Sequence, residues 1–362
     1  MTATVERTTS GRSTFHRLRV AAVDRLCDDA VAVTFDVPVD LADAYDFRAG
    51  QSLTLRRRIE GREERRSYSI CAPAGSPPRV GVREVPGGLF SRWLVHEVEV
   101  GDVVDVSTPT GRFTPEPGTG GRHVLVAAGS GITPVLSIAA TVLAEPGSHV
   151  TLLYGNRRTS SVMFAEELAD LKDTYGARFD LMHVLSREPR EVELFSGRLD
   201  AERLRRILSL LVPVQAVDLF WLCGPYDLVT GAQRVLAELG VEGRRVRTEL
   251  FYVDELPPPP VRHEDAGLEG PSSEVTVVLD GRSTTLTLPR TAPVLDSAQR
   301  SRSDLPFACK GGVCGTCRAR VTAGEVDMRR NYALEPDEVE AGFVLTCQSV
   351  PVTDTVTVDY DA

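Results

Sequence analysis

Four of the seven cysteines, Cys309, Cys314, Cys317 and Cys347, fall in the last 54 residues, whereas Cys27, Cys71 and Cys223 are scattered. The clustered set reads C-x4-C-x2-C and then, after 29 further residues, C. That is the spacing of a plant-type [2Fe–2S] site, in which four thiolates hold two irons. So much negative charge must be offset by backbone N–H groups aimed at sulfur. Gly311, Gly312 and Gly315 let the loop wrap closely and reach positive φ where wrapping needs it. A zinc knot more commonly shows two C-x2-C pairs. None of the six histidines (16, 96, 123, 149, 183, 263) lies near the cluster, which disfavours a Rieske centre or a mixed Cys/His zinc site. An odd cysteine count speaks against a disulfide framework, and the clustered thiols point to a reducing, cytoplasmic setting.

A second constellation is Gly129-Ser-Gly131-Ile-Thr-Pro134, directly after the apolar run Val124–Ala128. Glycines there admit a pyrophosphate close to the backbone, and the N-terminus of the following helix stabilises its charge. Pro134 costs little near the first helical turn. The pattern is G-x-G-x-x-P, not the Rossmann G-x-G-x-x-G, so alone it is also compatible with a plain βα turn. Its context favours a nucleotide. The next strand ends Tyr154-Gly155-Asn156-Arg157-Arg158 without an acid for a ribose 2′-OH, and the third ends Ser186-Arg187. Arginines at those positions suit a 2′-phosphate, hence NADPH.

A third set is Arg66-Ser67-Tyr68-Ser69, where a tyrosine offers an aromatic face and a serine a hydrogen bond to a flavin N5 edge. Gly88-Leu-Phe-Ser91 opens a short helix and is a second place for a pyrophosphate. A flavin is the chemically sensible link between the other two sites, because a hydride carries two electrons and an iron–sulfur centre takes one.

These residues need a scaffold of several units. At 362 residues, two to three domains are expected, with 42% hydrophobic and 25% charged residues as in ordinary globular chains. A net charge of −10 disfavours nucleic acid as a partner. Val124–Ala144 is 21 residues without a charge, but Gly129–Pro134 breaks it, so it reads as buried, not as a membrane span. Residues 12–117 show short strands (Phe15–Val23, Val31–Val37, Gln51–Arg57, Ser67–Ala72, Val80–Val85) and one helix at Leu89–His96, the pattern of an antiparallel barrel. Residues 118–253 alternate strands (Val124–Ala128, Val150–Tyr154, Phe179–Leu185, Val217–Cys223, Arg245–Leu250) with helices. Asp200 is the expected N-cap of a helix whose face is Leu204, Ile207, Leu208 and Leu211, and Tyr226–Leu239 is another helix. That alternation means a parallel α/β sheet. A Pro-rich linker is expected at 254–272. A last domain at 273–362 opens with a hairpin turning at Asp280-Gly281.

With these motifs in this order, the chain resembles the ferredoxin–NADP⁺ reductase superfamily, in the arrangement of single-chain oxygenase reductases. The R-x-Y-S flavin motif matches Arg66, Tyr68 and Ser69. The phosphate loop matches Gly129, Gly131 and Pro134, and a C-G-P turn beside the nicotinamide matches Cys223, Gly224 and Pro225. The resemblance implies an antiparallel β-barrel FAD domain, an α/β NADP domain and an α+β, β-grasp-like ferredoxin domain. It also implies Ser69 near flavin N5, Cys223 lining the nicotinamide pocket, Phe251 over the flavin ring and Arg83 on the flavin phosphate. Within the group, Asn331–Gln348 and Tyr154–Arg157 resemble reductase subunits of ring-1,2-phenylacetyl-CoA epoxidases. This implies NADPH-driven electron supply, through FAD and the cluster, to a di-iron oxygenase. Reductases of ketosteroid or ring-hydroxylating oxygenases share the layout, and a non-catalytic redox sensor is the alternative of another class. Residues 273–362 carry 9 basic and 13 acidic residues, so a basic face is expected on the partner.

Overall fold

A computed structural model describes residues 14–59, 62–252, 270–302, 304–307 and 309–362. In the first unit, β1 (Phe15–Cys27), β2 (Ala30–Asp36), β3 (Ser52–Ile59), β4 (Arg62–Ser69), β5 (Arg79–Arg83) and β6 (Val103–Ser107) form one antiparallel sheet ordered β4-β3-β6-β1-β2-β5. Just past β4, Ile70 bridges to Val80 on β5, so the two end strands meet and the sheet comes close to a barrel. Helix α1 (Leu89–His96) plugs it with Phe90, Trp93 and Leu94. The expected strand Ser67–Ala72 begins earlier, at Arg62, because β3 and β4 pair in register from Ser52↔Ser69 to Ile59↔Arg62. The charged run before Ser67 hid that pairing from any apolar pattern.

The second unit comprises β7 (Arg122–Ala128), α2 (Ile132–Ala144), β8 (His149–Asn156), α3 (Ala165–Tyr175), β9 (Phe179–Leu185), α4 (Ala201–Leu211), β10 (Leu219–Pro225), α5 (Tyr226–Glu238) and β11 (Val246–Tyr252). Its sheet is parallel, ordered β11-β10-β7-β8-β9, so strand order reverses between β7 and β10. Ligands of such sheets bind at that switch point, beyond the strand C-termini. The charge-free run is explained by α2. Ten of its thirteen residues are buried, packed with Ala30, Ala32, Ala49 and Cys71 of the barrel as well as Leu125 and Leu152 of the sheet. α3 carries a single buried residue, Leu168, so it shows almost no apolar periodicity. Leu204, Ile207 and Leu208 of α4 are buried as expected, but Leu211 is 46% exposed because the helix ends there.

In the third unit, β12 (Ser272–Leu279), β13 (Arg282–Pro289), β14 (Arg318–Ala323), β16 (Phe343–Leu345) and β18 (Thr355–Asp359) form a mixed sheet ordered β13-β12-β18-β14-β16. Only β12 and β18 run parallel within it. Short elements α6 (Val294–Ala298), β15 (Val326–Met328), α7 (Pro336–Glu340) and β17 (Ser349–Pro351) complete the unit. Asp280 (φ 60°) and Gly281 (φ 66°) both take positive φ at the hairpin turn. The expected linker falls at 254–269 outside the described residues, and β12 already begins at Ser272. Among the described residues no helix is long and apolar enough to cross a membrane.

Asp200 caps α4 by accepting the Arg203 N–H at 2.9 Å. Asp200→Ala should lower the unfolding free energy of this unit by about 1 kcal/mol. Asp200→Asn should retain most of it, as a denaturant melt would show.

Candidate redox and nucleotide sites

The cysteine loop places its sulfurs in two pairs: Cys309 hydrogen-bonds Cys314, and Cys317 hydrogen-bonds Cys347. Two thiolates per iron is what a dinuclear centre asks of its protein. Among the described residues no three His, Cys, Asp or Glu side chains converge on a single-ion geometry. The loop also supplies donors. Gly311 N–H lies 3.3 Å from Cys309 Sγ, Val313 and Cys314 N–H groups reach the same sulfur, and Gly312 N–H reaches Cys347. The Cys314 contact and these N–H groups draw the Cys309 thiol down to about 6, while its partner Cys314 is pushed well up. Gly312 and Gly315 take φ of +80° and +66°, the wrapping their type allows. The donor set fits a [2Fe–2S] group.

At the switch point, Gly129 (φ +55°) ends β7 and Gly131 opens α2. A Cβ on Gly131 would sit 2.4 Å from the Cys223 carbonyl oxygen, so glycine is what lets the phosphate loop close on the C-G-P turn of β10. Pro134 lies in the first turn of α2, and the Tyr154 hydroxyl donates to the Gly129 carbonyl at 2.9 Å. The ends of β8 and β9 bring four candidates together: Ser186 N–H donates to Asn156 O and Arg187 N–H to Arg157 O, with Arg158 beside them. Glu188, the nearby acid, is occupied by the Thr159 N–H and hydroxyl at 2.8 and 2.7 Å.

Arg83 stands apart from the other flavin candidates. Its Nε is 3.3 Å from Asp29, its Nη2 donates to Ser161 O at 2.5 Å, and its Nη1 is 3.5 Å from where a Gly129 Cβ would be. The guanidinium therefore faces the nucleotide loop. Asp29 also holds Arg157, at 3.0 Å.

On the barrel, Arg66 pairs with Glu64 at 3.0 Å, and Tyr68 lies 6.2 Å from the Phe90 ring of α1. Ser91 Oγ accepts Val85 N–H and donates to Gly88 O, so it shapes the turn entering α1. The N–H groups of that first turn are left directed out of the helix, a cradle suited to a pyrophosphate. Phe251 is half-buried on the edge strand β11 and packs against the core that α2 shares with the barrel.

Between barrel and sheet lies a residue that carried no sequence signal. Glu249 sits opposite Cys223 in the β10–β11 register, with Cys223 Sγ 3.9 Å from its carboxyl, and the Ser69 hydroxyl hydrogen-bonds the same group. Part of the Glu249 stem meets solvent, yet its carboxyl is enclosed, and burial pushes it up to about 8 against the two hydrogen bonds. Burial likewise pushes the Cys223 thiol well up. A lone glutamate on an edge strand announces nothing; only the strand pairing brings it to Ser69.

Family models match three successive segments: an oxidoreductase FAD-binding domain at 17–114, an oxidoreductase NAD-binding domain at 125–234, and a 2Fe-2S iron-sulfur cluster binding domain at 277–352. The chain is 42% identical to the E subunit of the 1,2-phenylacetyl-CoA epoxidase of Escherichia coli (strain K12), over 97% of this chain and 99% of that one. It is 34% identical to the ferredoxin reductase component of 3-ketosteroid-9-alpha-monooxygenase of Rhodococcus rhodochrous, over 95% and 96%. Its fold matches phthalate dioxygenase reductase with a TM-score of 0.60 at 24% identity, over 95% and 98%. The chain belongs to the single-chain oxygenase reductases of the ferredoxin–NADP⁺ reductase type. This reductase is an oxidoreductase, an electron-transfer component with FAD-, NAD(P)- and [2Fe–2S]-binding domains.

Gly131→Ala in the reductase should weaken nucleotide binding about ten- to a hundred-fold by forcing the loop off β10. Flavin absorbance should be unchanged; a nucleotide titration beside a visible spectrum checks both.

Proposed function

We propose that this reductase takes electrons from NADPH and delivers them singly to the oxygenase of a phenylacetyl-CoA epoxidase. The observation that carries the relay is the meeting of Ser69, Cys223 and Glu249, which joins the flavin strand to the nicotinamide turn. The partner assignment is supported by the 42% identity along nearly the whole chain to a component of that name. When bound, FAD supplies the conversion of one hydride into two single electrons, and the [2Fe–2S] group supplies their one-at-a-time exit.

The chain's own residues then have distinct tasks. Arg66, Tyr68, Ser69, Gly88 and Ser91 hold the flavin along β4 and the α1 entrance. Gly129, Gly131 and Pro134 receive the nucleotide pyrophosphate, with Arg83 on this side in place of the flavin phosphate. Cys223, Gly224 and Pro225 bound the nicotinamide, and Phe251 shields the flavin face. Cys309, Cys314, Cys317 and Cys347 hold the cluster. Arg157, Arg158, Ser186 and Arg187 take the 2′-phosphate, a reading supported by the engagement of Glu188 with Thr159. Glu249 keeps a proton at neutral pH, so the enclosed site stays uncharged where hydride must pass. Ionising it would place a negative charge beside a developing negative one.

Arg157→Ala with Arg187→Ala should raise KM for NADPH about ten-fold, the size of a lost charge-assisted contact, and leave NADH unaffected; a wild type that prefers NADH sinks the assignment. Reduction of ferricyanide should fall as pH rises through about 8, and Glu249→Gln should flatten that limb. The sign for stability agrees. A carboxyl raised from 4.5 to about 8 contributes fully below its unfolded value, and the contribution is lost as pH climbs through the folded one. Reconstitution tests the partner: a phenylacetyl-CoA epoxidase oxygenase should couple NADPH oxidation to product, and turnover with a ketosteroid oxygenase alone would overturn the choice.

A further inference from the structure

The stretch beginning at Asn331 plays no part in the sites above, yet it is tightly built. Asn331 Oδ1 accepts the N–H groups of Ala333 and Leu334 at 3.2 and 2.8 Å, and its Nδ2 donates to Leu334 O at 3.0 Å. One side chain thus locks a turn. The Glu335 N–H donates to the Glu338 carboxyl at 3.1 Å, closing a capping box on α7, and Arg318 lies 3.0 Å from the same carboxyl. The turn is also fastened to the cysteine loop, because Tyr332 N–H donates to Gly312 O at 3.1 Å.

Two side chains of this rigid stretch leave the iron–sulfur unit. Glu338 meets Arg112 of the segment joining β6 to β7, at 3.2 Å. Tyr332 meets Tyr226 edge to face, with ring centroids 5.6 Å apart, and Tyr226 directly follows Cys223-Gly224-Pro225. A third contact lies on the other side of the cysteine loop. Buried Arg65 stands over Phe307 at 5.2 Å and donates to Leu305 O at 3.5 Å, one residue from Arg66 of the flavin strand.

We propose that Asn331–Glu340 is a docking key that seats the iron–sulfur unit against both the flavin barrel and the nucleotide sheet. The proposal rests on the reading that electrons pass from flavin to cluster within one chain. Because Tyr332 is bonded to Gly312, seating the key on Tyr226 and Arg112 also positions the cysteine loop. Arg112 is 75% exposed, so its pair with Glu338 is weak and reversible. The edge-to-face ring pair adds a modest amount. Such a seat positions the loop and still releases it.

The test uses the full-length holoprotein with Arg112→Glu, Tyr226→Ala and Tyr332→Ala. Exposed Arg112 and Tyr226 hold no fold together, so their variants stand even if Tyr332→Ala is unstable. Each should enlarge the radius of gyration in small-angle scattering and raise amide hydrogen exchange at 112–114 and 226–230. Each should also slow bleaching of the cluster by NADPH about five-fold, the scale of an exposed pair, with NADPH-driven ferricyanide reduction unchanged. One NADPH gives up two electrons, the bound flavin holds two and the cluster one, so bleaching is followed with at least one and a half equivalents of NADPH per chain. Unchanged scattering, exchange and bleaching in the variants would overturn the key. Failure of the wild type to bleach at all would instead overturn the internal relay, and scattering and exchange would still judge the key.

Discussion

The arrangement depends on one buried helix. α2 has the sheet on one side and the barrel on the other, and its Ser137 hydroxyl donates to Ala72 O at 2.6 Å inside that contact. Close approach is possible because β5 carries Gly81, where a Cβ would lie 2.6 Å from both the Thr133 and Phe164 side chains. A helix sandwiched this way cannot carry a charge without burying it unpaired, which is why its sequence imitates a membrane segment. The same helix begins at the phosphate loop. The Gly129–Gly131 loop and the barrel are therefore fixed to each other through one element.

With α2 holding the units, the strand ends do the rest. Ser69 leaves β4 and Glu249 lies on β11, and they touch because β11 pairs with β10 while β4 closes toward β5. The enclosed carboxyl is costly to ionise, so burial favours its protonated, neutral form beside Ser69 and Cys223. Charge is handled in the opposite way at the cysteine loop. There, backbone N–H groups point inward and four sulfurs are expected to be anionic together. One site excludes net charge and the other concentrates it, in keeping with a hydride path at the first and a metal-held exit at the second.

Motifs with fixed local spacing are legible in the bare sequence: the C-x4-C-x2-C loop, the Gly129–Pro134 turn, the Asp280-Gly281 hairpin and the Asp200 cap all depend on neighbours along the chain. Misses share a different cause. α3 has one buried residue and so no periodicity to read, and β4 starts within a charged run whose partners lie across a hairpin. Glu249 acquires its meaning from Cys223 and Ser69, 26 and 180 residues away. Long-range pairing, not residue type, decides each of these.

A chain that binds a hydride donor and a one-electron carrier must hold them near each other and yet let the second meet an outside protein. A large apolar interface would satisfy the first need and defeat the second. Among the described residues, the contacts that join the iron–sulfur unit to the rest include instead an exposed ion pair, an edge-to-face tyrosine pair, and a buried arginine that lies over Phe307 and donates to Leu305 O. The barrel and the sheet, which share α2, have no such freedom and need none, since hydride transfer tolerates little variation in distance. Rigid coupling at the two-electron step and loose coupling at the one-electron step follow from what each transfer demands of geometry.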